Sequence, residues 1–362
     1  MTDRRTFVRN TALLSAAAAA APHVAFADES KRKIRYALVG LGSLSTNQIG
    51  PQFKDCTDSE LVGVVTGSPD KIPKWKEKYG IEDEHVYNYE TFDQVADDDS
   101  IDVIYVVLPN SMHAEYTIRA ARAGKHVFCE KPMATSSEDC RRMIQACNDN
   151  NVKLGIGYRC QFEPHHTHCV ELAKNETYGK IMGIEAGFGF RIGDPTQWRL
   201  KKDLAGGGPL MDVGIYAIQS CCQLTGATPL EVAAIEVKTD PKKFAEVEET
   251  LHWSMKMPDN LACSLTTTYN YNGVAGFRAY GTNGHFGLDP AYYYDGNKGT
   301  TSDGKSIDFG NTPQFAVEMD AFSRHVRDGA PNRVPGEMGL RDLKICEAIY
   351  RSVDSGRTEP VV

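Results

Sequence analysis

Between residues 34 and 157 short apolar runs alternate with helix-like stretches, and this repeat restricts the fold more than any other feature of the chain. Ile34–Val39, Leu61–Thr66, Val103–Leu108, His126–Cys129 and Lys153–Ile156 read as strands. Lys71–Tyr79, His113–Ala123 and Ser137–Asn148 read as helices between them. Strands that are apolar throughout are buried on both faces, and strands separated by helices run parallel. The region therefore predicts a parallel sheet covered on both sides. Gly40-Leu41-Gly42-Ser43-Leu44-Ser45 directly follows the first strand and opens a helix. Glycine accepts positive φ in so tight a turn, and its missing side chain lets backbone approach a pyrophosphate at the helix start. The pattern predicts a dinucleotide-binding Rossmann domain. Ser45 replaces the third glycine and is small enough to keep helix and strand in contact.

The second strand ends at Val65-Thr66-Gly67-Ser68. NAD-selective domains usually place a carboxylate there for the ribose 2′-hydroxyl, and a carboxylate would repel a 2′-phosphate. Thr66, Gly67, Ser68 and the nearby Lys71 offer hydroxyls, amides and an ammonium instead, which suits NADP.

After about Tyr158 the pattern changes. A helix over Pro164–Lys174 precedes a strand over Ile181–Gly189, and Gly206-Gly207-Gly208 opens a further helix. Leu230–Thr239, Glu249–Met257, Ala262–Tyr269, Gly276–Tyr280 and His285–Leu288 then read as strands joined by short turns, which favours an antiparallel sheet. Helices over Gln314–Arg327 and Gly339–Ser355 close the chain. The expected fold class is α/β, with a Rossmann domain over 28–157 and a second α/β domain over 158–362 built on a large, open, mostly antiparallel sheet.

Residues 1–27 are set apart from that fold. Arg4-Arg5-Thr6-Phe7-Val8-Arg9, an alanine-rich run over Thr11–Ala21 and the small residues of Ala25-Phe26-Ala27 have the order of a removable twin-arginine export signal. Such a signal implies a periplasmic location. The apolar run is shorter than the roughly 20 residues that a membrane span requires, and no other span is expected. The whole chain carries −8, and loss of Asp3, Arg4, Arg5 and Arg9 would leave about −10. An acidic chain without a basic run does not suit nucleic acid. The ten cysteines form no Cys-x-x-Cys pair, and Cys129, Cys160 and Cys263 sit in apolar runs, so buried free thiols are expected. His165-His166-Thr167-His168-Cys169 puts His165, His168 and Cys169 on one helix face. No second cluster completes a zinc set, so no metal is expected.

Leu108-Pro109-Asn110-Ser111-Met112-His113, Glu130-Lys131-Pro132 and the segment Gly206–Tyr216 together resemble the glucose–fructose oxidoreductase/inositol dehydrogenase/MocA family. Gly157-Tyr158-Arg159-Cys160 and Trp198-Arg199-Leu200 bring the chain nearest to the exported glucose–fructose and aldose–aldose oxidoreductase branch. The resemblance spans essentially everything after the signal. It implies that Lys131 and the Gly206–Tyr216 segment face a nicotinamide, and that the open sheet of the second domain forms the interface of a homo-oligomer, a dimer or tetramer. Many members carry His four residues after the aspartate; this chain carries Tyr216, as that branch does. Glucose–fructose oxidoreductase also has a proline-rich arm before the first strand, where this chain has only Asp28–Lys33.

The residues themselves suggest the chemistry. Oxidation of a sugar's anomeric hydroxyl needs a base for its proton as hydride leaves for the nicotinamide. Tyr216 can take that proton if a cation lowers its pKa from about 10, and Lys131, held by the turn at Pro132, is the expected cation. Asp212, one helical turn before Tyr216, would orient Lys131 or the substrate hydroxyl. The expected cofactor wall comprises Gly40, Leu41, Gly42, Ser43, Leu44, Thr66, Gly67, Ser68, Lys71, Leu108, Pro109, Asn110, His113, Glu130, Lys131, Tyr158 and Arg159. His113 is read as a helix-start or ribose contact, and Tyr158 and Arg159 as neighbours of the nicotinamide. Trp198, Arg199 and Lys202 are expected beside the sugar with Asp212 and Tyr216; Tyr292-Tyr293-Tyr294 offers either a stacking ring or a sheet-edge contact. Because free NADP is scarce outside the cytoplasm, the cofactor is expected to stay bound while one aldose is oxidised to a lactone and a second sugar is reduced. The alternatives are a sugar or polyol dehydrogenase exchanging soluble NADP(H), an NAD-dependent glycoside hydrolase, and a non-catalytic sensor.

Overall fold

A computed structural model describes residues 32–362, so the twin-arginine segment lies outside the described residues. The first sheet contains β1 (Ile34–Val39), β2 (Ser59–Val65), β3 (Val86–Tyr87), β4 (Val103–Val106), β5 (His126–Glu130) and β6 (Leu154–Gly157). All pairings are parallel and the order is β3-β2-β1-β4-β5-β6. Chain order reverses between β1 and β4, and open α/β sheets collect ligands beyond the strand ends at such a reversal. Between the strands run α1, a sequence of helical turns (Ser45–Ile49, Gly50–Gln52, Phe53–Asp55), then α2 (Ile72–Tyr79), α3 (His113–Arg122) and α4 (Ser137–Asp149). Helix α4 starts where the sequence says it should. Ser136 accepts a hydrogen bond from Asp139 N at 3.1 Å, which satisfies an otherwise unpaired first-turn donor. The two-residue strand β3 has too few side chains to register as a period, and sequence reading missed it.

The second sheet is fed by α5 (Pro164–Lys174), β7 (Ile181–Gly189), α6 (Lys202–Ala205) and α7, which begins as a wide turn over Leu210–Gly214 and continues over Ile215–Thr225. Gly206-Gly207-Gly208 thus ends one short helix before leading into the next. Close packing excludes side chains here: a Cβ on Gly207 would lie 2.0 Å from the Tyr350 hydroxyl, and one on Gly208 2.6 Å from the Glu248 carbonyl oxygen. The Glu248 carboxylate accepts from Gly208 N at 2.8 Å and Leu210 N at 3.0 Å, capping the segment from across the fold. Strands β8 (Glu231–Val237), β9 (Thr250–Lys256), β10 (Ala262–Thr268), β11 (Val274–Gly281), β12 (Gly284–Leu288), β13 (Gly299–Thr301), β14 (Ser306–Ile307) and β15 (Glu359–Pro360) complete it. The order is β14-β13-β12-β11-β7-β10-β9-β8-β15, antiparallel except between β7 and β10. Burial alternates along β9 and β10, as in a sheet with one face packed and the other open.

Helices α8 (Gln314–Asp328) and α9 (Gly336–Ser355) end the fold. The first returns to the parallel sheet. Tyr36 of β1 donates to Met319 O at 3.0 Å, Phe322 packs on Phe128 with ring centroids 5.0 Å apart, and Asp320 accepts from Thr57 N, Asp58 N and the Ser59 hydroxyl. All ten cysteines are buried and free. No helix among the described residues is long and apolar enough to cross a membrane.

Candidate active site

A cleft of about 560 Å³ opens beyond the C-terminal ends of β1 and β4 and is walled on its far side by α7 and the segment around Trp198. Of the expected cofactor residues, Gly40, Leu41, Gly42, Ser43, Leu44, Thr66, Ser68, Lys71, Leu108, Pro109, Asn110, His113, Glu130, Lys131 and Arg159 line it. Trp198, Arg199, Asp212 and Tyr216 line it too. Gly67, Tyr158 and Lys202 do not. A side chain on Gly67 would press on the Tyr89 ring at 2.8 Å, and Tyr89 takes that place on the wall. Tyr158 turns its hydroxyl into the core toward Asp342, away from the cleft. Lys202 is exposed and its backbone N–H donates to Glu246. Asn47, Gln48, Val107, Tyr294 and Phe315 complete the wall; sequence reading did not single out Asn47, Gln48, Val107 or Phe315.

The glycine turn meets the requirements of a dinucleotide. Gly40 has φ of +92°, and a Cβ there would lie 2.3 Å from Val107 O, so this glycine lets β1 and β4 converge. Gly42 has nothing within 4 Å of a Cβ position, leaving its backbone open to the cleft. Ser45 closes the turn from behind by donating to Gly40 O at 2.5 Å. Lys71 reaches back from the second strand's end and donates to Leu41 O at 2.9 Å, so one ammonium joins both parts of the site. These residues fit a dinucleotide: Leu41–Leu44 would face its pyrophosphate, and Thr66, Ser68 and Lys71 its adenosine ribose. The two glycines therefore separate in their expected effects. Gly40→Ala should destabilise the fold by about 1–3 kcal/mol through strain and collision. Gly42→Ala should stay within about 0.5 kcal/mol of the parent yet weaken nucleotide binding. Thermal denaturation with and without NADP checks both.

His113 is not a free ribose contact. Its Nδ1 lies 2.8 Å from Pro132 O and its Nε2 2.9 Å from Leu108 O, and only 1% of the residue is exposed. Burial lowers its pKa. It clamps the end of the β4 loop to the Lys131–Pro132 turn, a role invisible until the loops are seen to meet. Asn110 donates to Ala205 O at 2.8 Å and ties the same loop to α6.

At the far wall Lys131 Nζ donates to Asp212 O at 2.7 Å and lies 3.4 Å from Asp212 Oδ1. Asp212 Oδ2 accepts from Arg199 Nε at 2.9 Å and from the Tyr269 hydroxyl at 2.8 Å. With Arg199 and Lys131 beside it and two donors on one oxygen, the carboxyl is pulled down to about 2 despite its burial. Asp212 is a fixed anion that holds two cations in place. Arg199 in turn stacks over the Trp198 ring, 4.7 Å from its centroid.

Lys131 and Tyr216 meet. The ammonium stands 4.7 Å from the Tyr216 ring centroid, on the cleft side. Arg159 covers the same ring at 5.0 Å and also covers the Tyr294 ring, at 4.6 Å. The expected lowering of the Tyr216 pKa is not what the structure gives. Burial raises it above the usual phenol value, and Arg159 is the cation that opposes this rise. Arg159 is itself buried, with its guanidinium held by Tyr292 O at 2.5 Å, Tyr293 O at 3.2 Å and the Gln314 side chain. Its importance was hidden because Gln314 and the tyrosines lie more than a hundred residues away. Of the three tyrosines, Tyr292 is core, Tyr293 is exposed, and Tyr294 reaches the cleft. The histidines of α5 serve the fold: His166 and His165 both bond the buried Glu163, and His165 Nε2 accepts from Phe309 N at 2.9 Å.

Comparison with known proteins agrees with this architecture. Residues 34–158 match an oxidoreductase family with an NAD-binding Rossmann fold, Gfo/Idh/MocA, and residues 166–287 match the C-terminal domain of the same family. The solved structure of aldose-aldose oxidoreductase from Caulobacter crescentus, complexed with glycerol, is 40% identical, with a TM-score of 0.87 over 91% of this chain and 100% of that one. D-xylose 1-dehydrogenase [NADP(+)] of Haloarcula marismortui is 28% identical across 90% of this chain and 92% of its own length. D-glucoside 3-dehydrogenase of Escherichia coli is 25% identical across 89% and 96%. Two matching domains in the right order, a glycine turn at the sheet's reversal and a relative at 40% identity converge: this chain belongs to the Gfo/Idh/MocA family of oxidoreductases.

Proposed function

We propose that this oxidoreductase holds NADP tightly and uses it to oxidise one aldose to its lactone and reduce a second sugar. The observation that carries the reading is the meeting of Lys131, Tyr216 and the fixed anion Asp212 on one wall of the nucleotide cleft. Bound nicotinamide supplies the hydride acceptor for the first sugar and the hydride donor for the second. Ionised Tyr216 takes the proton of the anomeric hydroxyl on Oη as the C1–H bond breaks, and the phenol so formed returns it to the carbonyl oxygen of the acceptor sugar. Lys131, positioned by Asp212, stabilises the negative charge that develops on the sugar oxygen. Arg199 and Trp198 offer a donor and an apolar face to the rest of the sugar. Thr66, Ser68 and Lys71 at the end of β2, where no carboxylate lines the cleft, support NADP over NAD. The aldose–aldose relative supports a two-sugar cycle, and the NADP(+) xylose dehydrogenase supports the cofactor.

Mixing the purified protein with an aldose and an acceptor sugar, without added cofactor, should give equal amounts of lactone and alditol. No turnover until NADP is added would refute retention and favour a dehydrogenase that exchanges its cofactor, which the xylose dehydrogenase relative also suggests. Export by the twin-arginine route, periplasmic residence, and a homodimer or tetramer joined through the open face of the second sheet complete the proposal. Exposed Ile235 and Val237 of β8 are apolar groups such an interface would cover.

A further inference from the structure

Beneath the cleft, one tyrosine stands between two carboxyl groups. Tyr105 of β4 is fully buried, and its hydroxyl lies 2.8 Å from Glu130 Oε1 and 3.5 Å from Glu318 Oε1. Glu318 comes from α8 and has 0% exposure, and its Oε2 has no hydrogen-bond partner among the described residues. Glu130 ends β5, lines the cleft and accepts from Lys131 N at 3.3 Å.

A phenol has one hydrogen to give, and here the nearer carboxylate takes it. Glu318, 3.5 Å from the Tyr105 oxygen and with Oε2 unpartnered among the described residues, then has no donor to offset a buried charge and keeps its proton. An ionised Glu318 would instead leave a buried charge facing a lone pair, with one oxygen wholly unpaired. Two buried carboxyls this close to one hydroxyl do not both ionise.

We propose that Glu130 and Glu318 form a proton-sharing pair bridged by Tyr105, which keeps one negative charge rather than two beneath Arg159 and Tyr216. Glu318 is thereby a positioning residue that acts through Glu130. The groups facing the pair are Arg159 and Cys160 from the segment after β6, Lys131 at the end of β5, Tyr216 of α7 and, beyond Tyr105, Tyr36 of β1. Burial and the neighbouring carboxylate raise Glu318 well above the usual carboxyl range, while Arg159 opposes the rise. A second negative charge would hold Tyr216 back from ionising, because Glu130 already acts on it in that sense. Loss of the shared proton at alkaline pH then ends the oxidative half-reaction. This consequence rests on Tyr216 acting as the base, whereas the shared proton does not.

Infrared spectroscopy at neutral pH tests the pair directly. The parent protein should show the carbonyl stretch of a protonated carboxylic acid, and Glu318→Gln should lose it. Tyr105→Phe, which removes the bridging hydroxyl, should move the band to higher frequency; this variant serves if Glu318→Gln does not fold. In single-turnover reduction of bound nicotinamide by an aldose, Glu318→Gln should keep the neutral rate within about threefold and shift the alkaline limb upward by about one pH unit or more. No acid band in the parent, or a band unmoved by either substitution, would overturn the shared proton; an unshifted limb in Glu318→Gln, with Tyr216→Phe slow, would overturn its control of Tyr216. Failure of the catalytic reading looks different: Tyr216→Phe would transfer hydride normally while the acid band stayed in place.

Discussion

Tyr216→Phe will slow reduction of bound nicotinamide by an aldose about 10²–10⁴-fold, the range for removal of a positioned proton acceptor. The substitution is a clean one. The ring lies edge-on to Phe188 with centroids 5.5 Å apart and close to Tyr292 at 5.7 Å, with Lys131 and Arg159 over its face. Phenylalanine fills the same space and keeps both cation–ring contacts, so the melting temperature and NADP affinity should hardly change. The pH dependence carries a sign. Burial holds the phenol protonated above its ordinary range, so sugar oxidation, which needs the ionised form, should quicken with rising pH until the proton shared by Glu130 and Glu318 is lost. Reduction of the acceptor uses the protonated form and should not. Single-turnover absorbance of the nicotinamide in each direction, measured across pH, checks both halves. Equal pH dependence of the two would place the proton elsewhere.

Lys131→Met should cost about 10²–10³-fold in the same single-turnover rate, as loss of one preorganised cation beside a developing oxyanion does. Methionine keeps an apolar stem of similar length, so the wall stays filled. Asp212 retains Arg199 at 2.9 Å and Tyr269 at 2.8 Å, so it remains fixed and ionised. The loss should therefore appear in the chemical step, with the protein folded and nucleotide bound. Lys131→Arg should not restore the rate. Its planar fork cannot place a compact charge both 2.7 Å from Asp212 O and over the Tyr216 ring. Stopped-flow traces with melting curves for both variants separate these outcomes.

Much of this site could be read before any coordinates. Local signals named residues that line the cleft: the Gly40–Gly42 turn, Thr66 and Ser68 after β2, and Lys131, Asp212 and Tyr216 each depend on neighbours in sequence. What escaped depends on meetings between distant segments. Tyr158 and Arg159 are adjacent, yet one turns into the core and the other into the cleft, and no period distinguishes them. Arg159 rather than Lys131 emerged as the cation that opposes the rise in the Tyr216 pKa, because Tyr292, Tyr293 and Gln314 fix its guanidinium from more than a hundred residues away. His113 looked available because its two carbonyl partners come from separate loops. The short strands β3, β13, β14 and β15 carry two or three residues each, too few to show an alternation.

The return of α8 to the parallel sheet means that the polypeptide passes between the two sheets three times, the last through α9 to β15; the first two passages lie near residues 158–165 and 308–314. Those passages are stitched to each other, by Arg159 on Gln314 and by Phe309 N on His165 Nε2. Widening the gap would have to bend two joined spans at once, as with a door hung on a doubled hinge. Such a frame resists wide opening, which is the mechanical condition that retention of a nucleotide through the proposed exchange of sugars would require.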